Sequence, residues 1–454
     1  MQNGDDDMLI EFKTKNFKSF VEEAVFSMVA APKQKGLDYS LMNTSIKGKK
    51  IKGLSCSVIY GPNAAGKTNI IGAMDVLRAI ILRGNIRNSE EKSSPNPASA
   101  VLELIPNNNA SKSEPVDFEI EFYEEDCDAN KFKIHYELKL DLGGFLEESY
   151  QRKILAEILE VNGEKVFERT NELKIYNLRV IKDYLSDITE QNINGVYEIA
   201  KNSLNCEELF LTNGFKLIYS PKFAKLIIDW FANKFMVIYR ADSMQLIKRF
   251  ADPKQKAVYI EKTTDEAARL FGINSNAVGY VVSENEPEAK LYSVFKNMKN
   301  QKTTAIAADI FESYGTIRFI NMFPLVIKAM QIGGTLVVDE FDASIHPMAL
   351  MSIINVFHND DVNIHHAQLI FNTHNPIFLN SNLFRRDEIK FVERNDDTHD
   401  SVLYALSDFG TTGDKGVRKH EDYMSKYFIS QYGAIKDIDF TPIFEEIICN
   451  KKEG

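Results

Sequence analysis

The most constraining feature of the sequence is the octapeptide GPNAAGKT at positions 61–68, which matches the pattern G-x-x-x-x-G-K-[ST]. It follows a short apolar run, LSCSVIY, and precedes a stretch, NIIGAMDVLRAIIL, with apolar residues at helical spacing. In such a strand–loop–helix, backbone N–H groups curl around phosphate oxygens and the helix dipole favours negative charge. We therefore predict a phosphate-binding loop shaped by Gly61, Asn63 and Gly66. Lys67 is expected to reach the β- and γ-phosphates, and Thr68 to ligate Mg²⁺.

A second apolar run, TLVVDE at 335–340, ends in two carboxylates. Asp339 is predicted to hold Mg²⁺, directly or through water, as the acidic partner of the phosphate-binding loop. Glu340 is predicted to act as the general base that polarises an attacking water. The Asp-Glu pair alone could simply end a surface strand. The pair and the phosphate-binding loop together predict an ATPase.

Two further features have both a structural and a functional interpretation. Ser313 lies 26 residues before Asp339 and opens a helix as Ser-x-Gly, a turn that can receive a γ-phosphate or simply cap the helix. His374 ends the run QLIFNTH, 35 residues after Asp339, where it is either a structural hydrogen bonder or a catalytic group. The order of all these features along the chain favours the functional interpretation.

That order resembles the ABC-type ATPase heads of the SMC/RecF/OLD branch. The segments MLIEFKTKNFKSF, GPNAAGKTN, ESYGTIR, VVDEFDASIHP and LIFNTHN are similar to one prokaryotic group within it. This group comprises the stand-alone AAA/ABC-like ATPases of antiphage systems, such as the PARIS ATPase subunit and RloA-type proteins, which are encoded beside nuclease partners. The resemblance covers roughly 8–145 and 300–440.

The resemblance implies roles for residues near the nucleotide. His374 would sense the γ-phosphate, and Asn16 and Lys18 would lie close to the nucleotide. ABC heads also use a glutamine on Mg²⁺, but no Gln occurs between Gln34 and Gln151. No residue is therefore assigned to that role.

The resemblance also implies an oligomer. In such heads the residues that correspond to Ser313 and Gly315 cap the nucleotide of a second subunit, and Asp342 lies at the same interface. ATP is then held between two chains, so at least a head-to-tail dimer is expected.

The remaining sequence predicts how the chain is organised. Its 454 residues suggest two or three folding units, and the alternation in VDFEIEFYEED and KFKIHYELKLDL predicts antiparallel sheet. We predict an α/β P-loop NTPase of ABC-head type with an antiparallel β-lobe and a mainly helical insertion. The predicted segments are a disordered extension (1–8), the first part of the head (9–149), the insertion (150–300) and the second part of the head (301–454). By resemblance, the insertion would carry partner contacts.

Composition restricts the partners. The net charge of −11 argues against a general nucleic-acid coat, although a local basic patch could still touch DNA or RNA. Four scattered cysteines and the lack of a long apolar run predict a cytoplasmic protein without membrane contact.

Three hypotheses of function follow from these features. In the first, an ATPase dimerises around ATP and controls a separately encoded effector, a nuclease, in antiviral defence. The second is a RecF-like ATPase that acts directly on DNA, and the third is an ATP-bound scaffold without catalysis. The effector, the trigger, the oligomer beyond a dimer and the choice of ATP over GTP stay open.

Overall fold

Two β-sheets of different type form the framework of the chain. A computed structural model describes residues 7–32, 34, 36–46, 49–87, 102–111, 114–147, 150–239, 262–283, 286–411, 416–418 and 420–450. The first sheet has seven antiparallel strands in the order β10-β9-β8-β7-β6-β1-β2, and the second has six strands in the order β11-β15-β16-β5-β17-β18. In the second sheet only β18 runs antiparallel to its neighbour.

The seven-stranded sheet consists of β1 (Met8–Lys15), β2 (Ala24–Ser27), β6 (Val116–Glu125), β7 (Lys131–Asp141), β8 (Lys153–Val161), β9 (Glu164–Arg169) and β10 (Leu173–Ile175). The six-stranded sheet consists of β5 (Cys56–Tyr60), β11 (Phe235–Ile238), β15 (Thr335–Val338), β16 (Gln368–Asn372), β17 (Ile389–Arg394) and β18 (Ser401–Ala405). Smaller sheets pair β3 (Leu41–Ile46) with β4 (Lys49–Leu54), and β12 (Ala277–Ser283) with β13 (Glu286–Lys296) and β14 (Thr303–Ala307).

Ten α-helices lie in the described part of the chain. They are α1 (Lys67–Arg83), α2 (Asp187–Gln191), α3 (Ile193–Asn202), α4 (Pro221–Asp229), α5 (Lys262–Phe271), α6 (Ala308–Phe311), α7 (Tyr314–Ile332), α8 (Pro347–Phe357), α9 (Tyr423–Phe428) and α10 (Thr441–Asn450). Two π-helices, Leu211–Tyr219 and Trp230–Lys234, flank α4. The 3-10 turns are Asp38–Ser40, Leu178–Tyr184, Pro376–Phe378 and Leu406–Asp408.

The six-stranded sheet lies between two apolar layers. Ile59 and Val337 share one core with α1 and the antiparallel sheet. Val58 and Leu336, on the opposite face of the same strands, share a second core with α7 and α8. Burial on both faces explains why β5 and β15 are continuous apolar runs, whereas the half-solvated β7 alternates strictly between buried and partly exposed residues.

The predicted α/β fold with an antiparallel lobe is confirmed by this strand order. The central consequence is that β16 lies between β5 and β15 in parallel register. The carboxyl ends of the three strands therefore meet at one edge of the sheet, where ligands of open α/β sheets bind.

The prediction of a mainly helical insertion at 150–300 is wrong for part of that range. Residues 153–175 form β8, β9 and β10, which extend the antiparallel lobe, and β12 and β13 form a separate hairpin. The helical parts of this range are 178–234, apart from short connections between the helices, and α5. β8, β9 and β10 each pair with the preceding strand in sequence, so this pairing and burial of one sheet face decide their conformation, whatever the local spacing of apolar residues.

The predicted disordered extension at 1–8 also needs a correction at its end. Residues 1–6 lie outside the described residues, but Asp7 and Met8 are almost fully buried. Met8 begins β1, and Asp7 accepts a hydrogen bond from the backbone N–H of Glu125 at 2.6 Å and pairs with Lys234. Asp7 is thus held in place by the partly buried Lys234. Within the described ranges, no helix has the length and apolar character needed to span a membrane.

Candidate functional site

The phosphate-binding loop connects the end of β5 to the start of α1 and is held from two sides. At Gly66, where φ is 109°, an added Cβ would lie 2.6 Å from Ser19 Oγ and 2.8 Å from Ser401 Oγ. Ser401 also donates from Oγ to the carbonyl of Ala65 at 2.6 Å. Glycine is therefore required at position 66 both by conformation and by space, and the loop is fixed before any ligand arrives.

Lys67 is buried beneath this loop. Its Nζ donates to the carbonyls of Gly61 at 2.7 Å and Pro62 at 2.9 Å, so the ammonium lies folded back against the loop. Burial lowers the pKa of Lys67 to about 8, against the opposing effect of three nearby carboxylates. A phosphate group beside it would restore the charged form, because an adjacent anion favours the ammonium.

Thr68 and Asp339 join the loop to β15. Thr68 Oγ1 donates to Asp339 Oδ1 at 3.0 Å, and Asn372 Nδ2, at the end of β16, donates to the same oxygen at 2.5 Å. A hydroxyl and a carboxylate in contact are the oxygen ligands that Mg²⁺ takes beside nucleotide phosphates. The donor set therefore fits Mg²⁺, with Thr68 and Asp339 as the residues that would hold it.

Glu340 follows Asp339 in a left-handed backbone conformation, with φ of 50°. The backbone N–H of Glu340 donates to Asn372 Oδ1, and the Glu340 carbonyl accepts from Arg318 Nη2 at 2.5 Å. Non-glycine residues rarely adopt this conformation, which turns the chain sharply out of the strand and leaves the Glu340 side chain exposed to the cavity.

His374 follows β16 by two residues and faces the same cavity. The pKa of His374 is lowered by partial desolvation and by the positive charge of Lys67. The imidazole is therefore neutral at pH 7, so that one ring nitrogen can donate while the other accepts a proton.

These groups surround one open cavity of about 500 Å³. Its other walls come from separate parts of the chain, namely Lys18, Ser19, Ile105, Asn107, Asn108, Phe145, Arg394 and His399. The volume lies within the usual range for small-molecule and cofactor sites. The ring of Phe145 and the amides of Asn107 and Asn108 in this lining offer contacts for a base and a sugar.

Asn16 and Lys18 hold different positions relative to this cavity. Asn16 is fully buried. Its Nδ2 donates to the carbonyl of Glu114 at 2.8 Å, and its Oδ1 accepts from the backbone N–H of Asn107 at 2.9 Å. Lys18 lines the cavity, but its Nζ is paired with Glu103 at 2.7 Å and Tyr239 at 2.9 Å. Asn16 thus anchors the loop that forms one wall of the cavity, and it does not itself line the wall.

Ser313, Gly315 and Asp342 lie outside the described wall of the cavity, although Asp342 is close enough to raise the pKa of Lys67 and of His374, against the desolvation that lowers both. Ser313 Oγ caps α7 by accepting from the Thr316 backbone N–H at 3.1 Å. A Cβ added at Gly315 would lie 2.0 Å from the carbonyl oxygen of Ser344, so the start of α7 packs directly on the segment after Asp339-Glu340. Asp342 accepts from Thr373 Oγ1 at 2.6 Å.

Several residues of the site belong to no recognisable sequence motif. Asn372 is visible only as a polar residue at the end of an otherwise apolar strand, in LIFNTH. Ser401 and Arg394 come from the β17–β18 hairpin, and Arg394 Nη1 donates to the carbonyl of Ala64 at 3.3 Å. Their positions depend on sheet order, because β17 pairs with β5 across more than 300 residues of sequence.

Comparisons with known proteins give one family match and a likeness to solved structures. Sixty-three chains of solved structures match, among them the SMC head domain from Thermotoga maritima, with 13% identity over 87% of this chain and 98% of that chain and a TM-score of 0.34. A TM-score this low carries no argument, and the α/β assignment rests on the strand order of this chain.

No curated protein sequence matches. The family described as "AAA domain, putative AbiEii toxin, Type IV TA system" matches residues 56–178 and 212–380, which is more than half of the chain. The chain therefore belongs to this AAA domain family.

Proposed function

We propose that this protein is an ATPase that binds ATP with Mg²⁺ and hydrolyses the γ-phosphate bond. The observation that carries the proposal is the hydrogen bond between Thr68 and Asp339, at 3.0 Å, directly beside Glu340 and His374. Residues from three adjacent parallel strand ends thereby supply a phosphate loop, a metal-binding pair and two proton-transfer groups in one cavity. The family match supports the same reaction class.

The residues divide the chemistry between them. Lys67 and the N–H groups that open α1 would stabilise charge on the phosphates, because fixed donors act best where negative charge develops. Glu340 would accept a proton from the attacking water, and the neutral His374 would contact the γ-phosphate. Mg²⁺, held by Thr68 and Asp339, would neutralise phosphate charge.

The second part of the proposal is a dimer that encloses ATP between two chains. Its support is that Ser313, the N-cap of α7, is exposed beside α6 and outside the wall of its own cavity, whereas Gly315 is buried against Ser344. Ile310, Phe311 and Tyr314 are exposed apolar and aromatic side chains at the same place. An exposed helix N-terminus can bind phosphate from another chain, and the surrounding apolar residues would be covered by that chain.

The third part concerns the biological role. We propose that ATP binding and hydrolysis control a separately encoded effector, a nuclease, in antiviral defence. The support is the family description, which names a toxin and a toxin–antitoxin system, together with the resemblance to ATPases of antiphage systems.

The ATPase and dimer are tested with Glu340→Gln and Ser313→Arg. Glu340→Gln is expected to lower ATP turnover by about 100-fold or more, since general-base catalysis contributes that much, while leaving ATP binding intact. Light scattering should then show the mass double when Mg·ATP is added, and Ser313→Arg in the same chain should prevent the doubling. Glu393→Gln, an exposed carboxylate on β17, is the matched control. Turnover unchanged in Glu340→Gln would contradict the assigned base.

The effector is tested separately. Purified Glu340→Gln, incubated with the neighbouring gene product of the native locus, should retain that protein with Mg·ATP and release it without nucleotide. Nuclease activity of the bound and released fractions would then be compared. A partner retained equally well by Lys67→Ala, which cannot hold ATP, would contradict control by nucleotide.

A further inference from the structure

The C-terminal helix α10 presents an apolar face that no other described part of the chain covers. Phe440, Ile443, Phe444, Ile447 and Ile448 follow the spacing i, i+3, i+4, i+7 and i+8, and each is more than half exposed. That spacing places all five on one side of the helix. A short amphipathic helix in water owes most of its stability to packing of this face, so α10 requires an apolar surface to dock on.

A matching surface exists elsewhere on the same molecule. An apolar groove of about 820 Å³ runs between α5, α7 and α8. Its floor includes Phe319, Phe323 and Val326 of α7, and its rim includes the strongly exposed Leu270 of α5 and Met348 of α8. An exposed apolar area of this kind marks an interaction site.

The groove and the helix agree in length. The groove follows α7 from Phe319 to Met330, which corresponds to about 17 Å at the helical rise of 1.5 Å per residue. The apolar face of α10, from Phe440 to Ile448, corresponds to about 12 Å. A groove between helices that receives an amphipathic helix is a recurrent mode of peptide recognition.

The two surfaces also differ in charge. Residues 437–448 contain four carboxylates and neither Lys nor Arg. Among the described residues that line the groove there is no carboxylate, and His346 and His365 lie in its wall. Among the charged residues next to the groove in sequence, Lys328 is exposed beside Ile327, Glu266 adjoins Ala267, and Arg269 is already paired with Asp265 at 2.8 Å. An acidic helix therefore meets no carboxylate in the described groove lining and one exposed lysine beside it, which favours the encounter of the two surfaces.

We propose that α10 of one copy docks in the α5–α7–α8 groove of a second copy. Each chain carries one such helix and one such groove, so pairing between copies covers both exposed surfaces with no third component. The contact needs no nucleotide, because none of its residues lines the nucleotide cavity. It is therefore an additional homo-oligomeric interface, separate from the ATP-enclosed dimer proposed above.

The experiment measures the mass of the full-length protein by light scattering without nucleotide, over a range of concentrations. One variant, Phe444→Asp/Ile447→Asp, disrupts the helix face, with the charge-conserving Glu445→Asp on the opposite side of α10 as its control. Another, Leu270→Glu/Met348→Glu, disrupts the groove rim. Its control is Leu217→Glu/Met298→Glu, which changes two equally exposed apolar side chains elsewhere.

Wild type and both controls are expected to have a mass above that of one chain, and each disrupted variant the mass of one chain. An equal mixture of the two disrupted variants should regain association, because one supplies an intact helix and the other an intact groove. Wild type with the mass of one chain at every concentration would overturn the proposal. So would association that persists in both variants, or a mixture with the mass of one chain, which is the result expected if α10 docks within its own chain.

Discussion

Asn372 bridges the two acidic residues of the site. Its Nδ2 donates to Asp339 Oδ1 at 2.5 Å, and its Oδ1 accepts the backbone N–H of Glu340. The strand β16 that carries it lies beside β15, so the amide fixes the orientation of one carboxylate and the unusual backbone of the next residue at the same time. Asn372 is thus a positioning residue for both.

Replacing Asn372 with Ala should lower kcat for ATP more than it weakens ATP binding. Residues that orient metal ligands typically contribute about 10- to 100-fold to activity, and we expect a loss of that size. Steady-state kinetics and the Kd for ATP measured in parallel separate the two effects. Asn380→Ala is the control, since the Asn380 side chain is exposed, does not line the cavity, and accepts through Oδ1 from the nearby Asn382 backbone N–H at 2.9 Å. Equal losses in kcat and in binding would show that Asn372 only supports the fold.

ATP binding should depend on pH through Lys67. Because the pKa of Lys67 is lowered to about 8, the unliganded protein loses this charge as the pH rises above that value. ATP binds best to the ammonium form, so binding at higher pH must take up a proton. We expect affinity to be nearly constant below about pH 7 and to fall by up to about tenfold per pH unit well above pH 8. Titration calorimetry in two buffers of different ionisation enthalpy would show the proton uptake directly. Affinity that stays constant to about pH 9 would contradict the lowered pKa.

Gly315→Ala should destabilise the contact between the start of α7 and Ser344. The new Cβ would lie 2.0 Å from a backbone oxygen, which cannot move aside as a flexible side chain can. Overpacking of this kind costs about 1 to 3 kcal/mol, and it should also weaken the ATP-dependent dimer. Ser313→Ala, two residues away, removes only the helix cap at a cost of about 1 kcal/mol. Urea unfolding of both variants tests whether Gly315→Ala lowers the free energy of unfolding at least as much as Ser313→Ala does. Equal stability of Gly315→Ala and wild type would contradict the prediction.

Glu157→Leu should destabilise the antiparallel lobe strongly. The buried carboxylate accepts from the backbone N–H groups of Phe210 at 2.6 Å and Leu211 at 2.8 Å, and it lies 3.7 Å from the buried Arg169. Removing one member of a buried ion pair costs about 3 to 5 kcal/mol. Here Arg169 would keep its bonds to the carbonyls of Asn205 and Glu208 but lose its countercharge, and two buried backbone N–H groups would lose their acceptor. Glu160→Leu changes the same residue type on the partly exposed side of β8 and should cost far less. Similar unfolding free energies for the two variants would exclude a structural role for Glu157.

Local sequence was sufficient for the parts of the site that lie within one continuous segment. The loop at 61–68 and the pair Asp339-Glu340 each follow an apolar strand, and the chemistry of a phosphate loop requires those residue types at that spacing. The α/β class followed from the same segments, since parallel strands buried on both faces are apolar throughout. The local structure was predictable because strand, loop and helix are neighbours in the chain, while the roles of these residues in ATP binding and hydrolysis stay predictions.

The tertiary structure alone decided which distant residues meet. The position of β16 between β5 and β15 brought Asn372 against Asp339, and pairing of β17 with β5 brought Ser401 against the phosphate loop. It also placed strands in the range predicted to be mainly helical, and it left the apolar face of α10 and the α5–α7–α8 groove exposed among the described residues. Strand order is set by the packing of whole faces and by pairing across hundreds of residues, and neither is encoded in the local spacing of side chains.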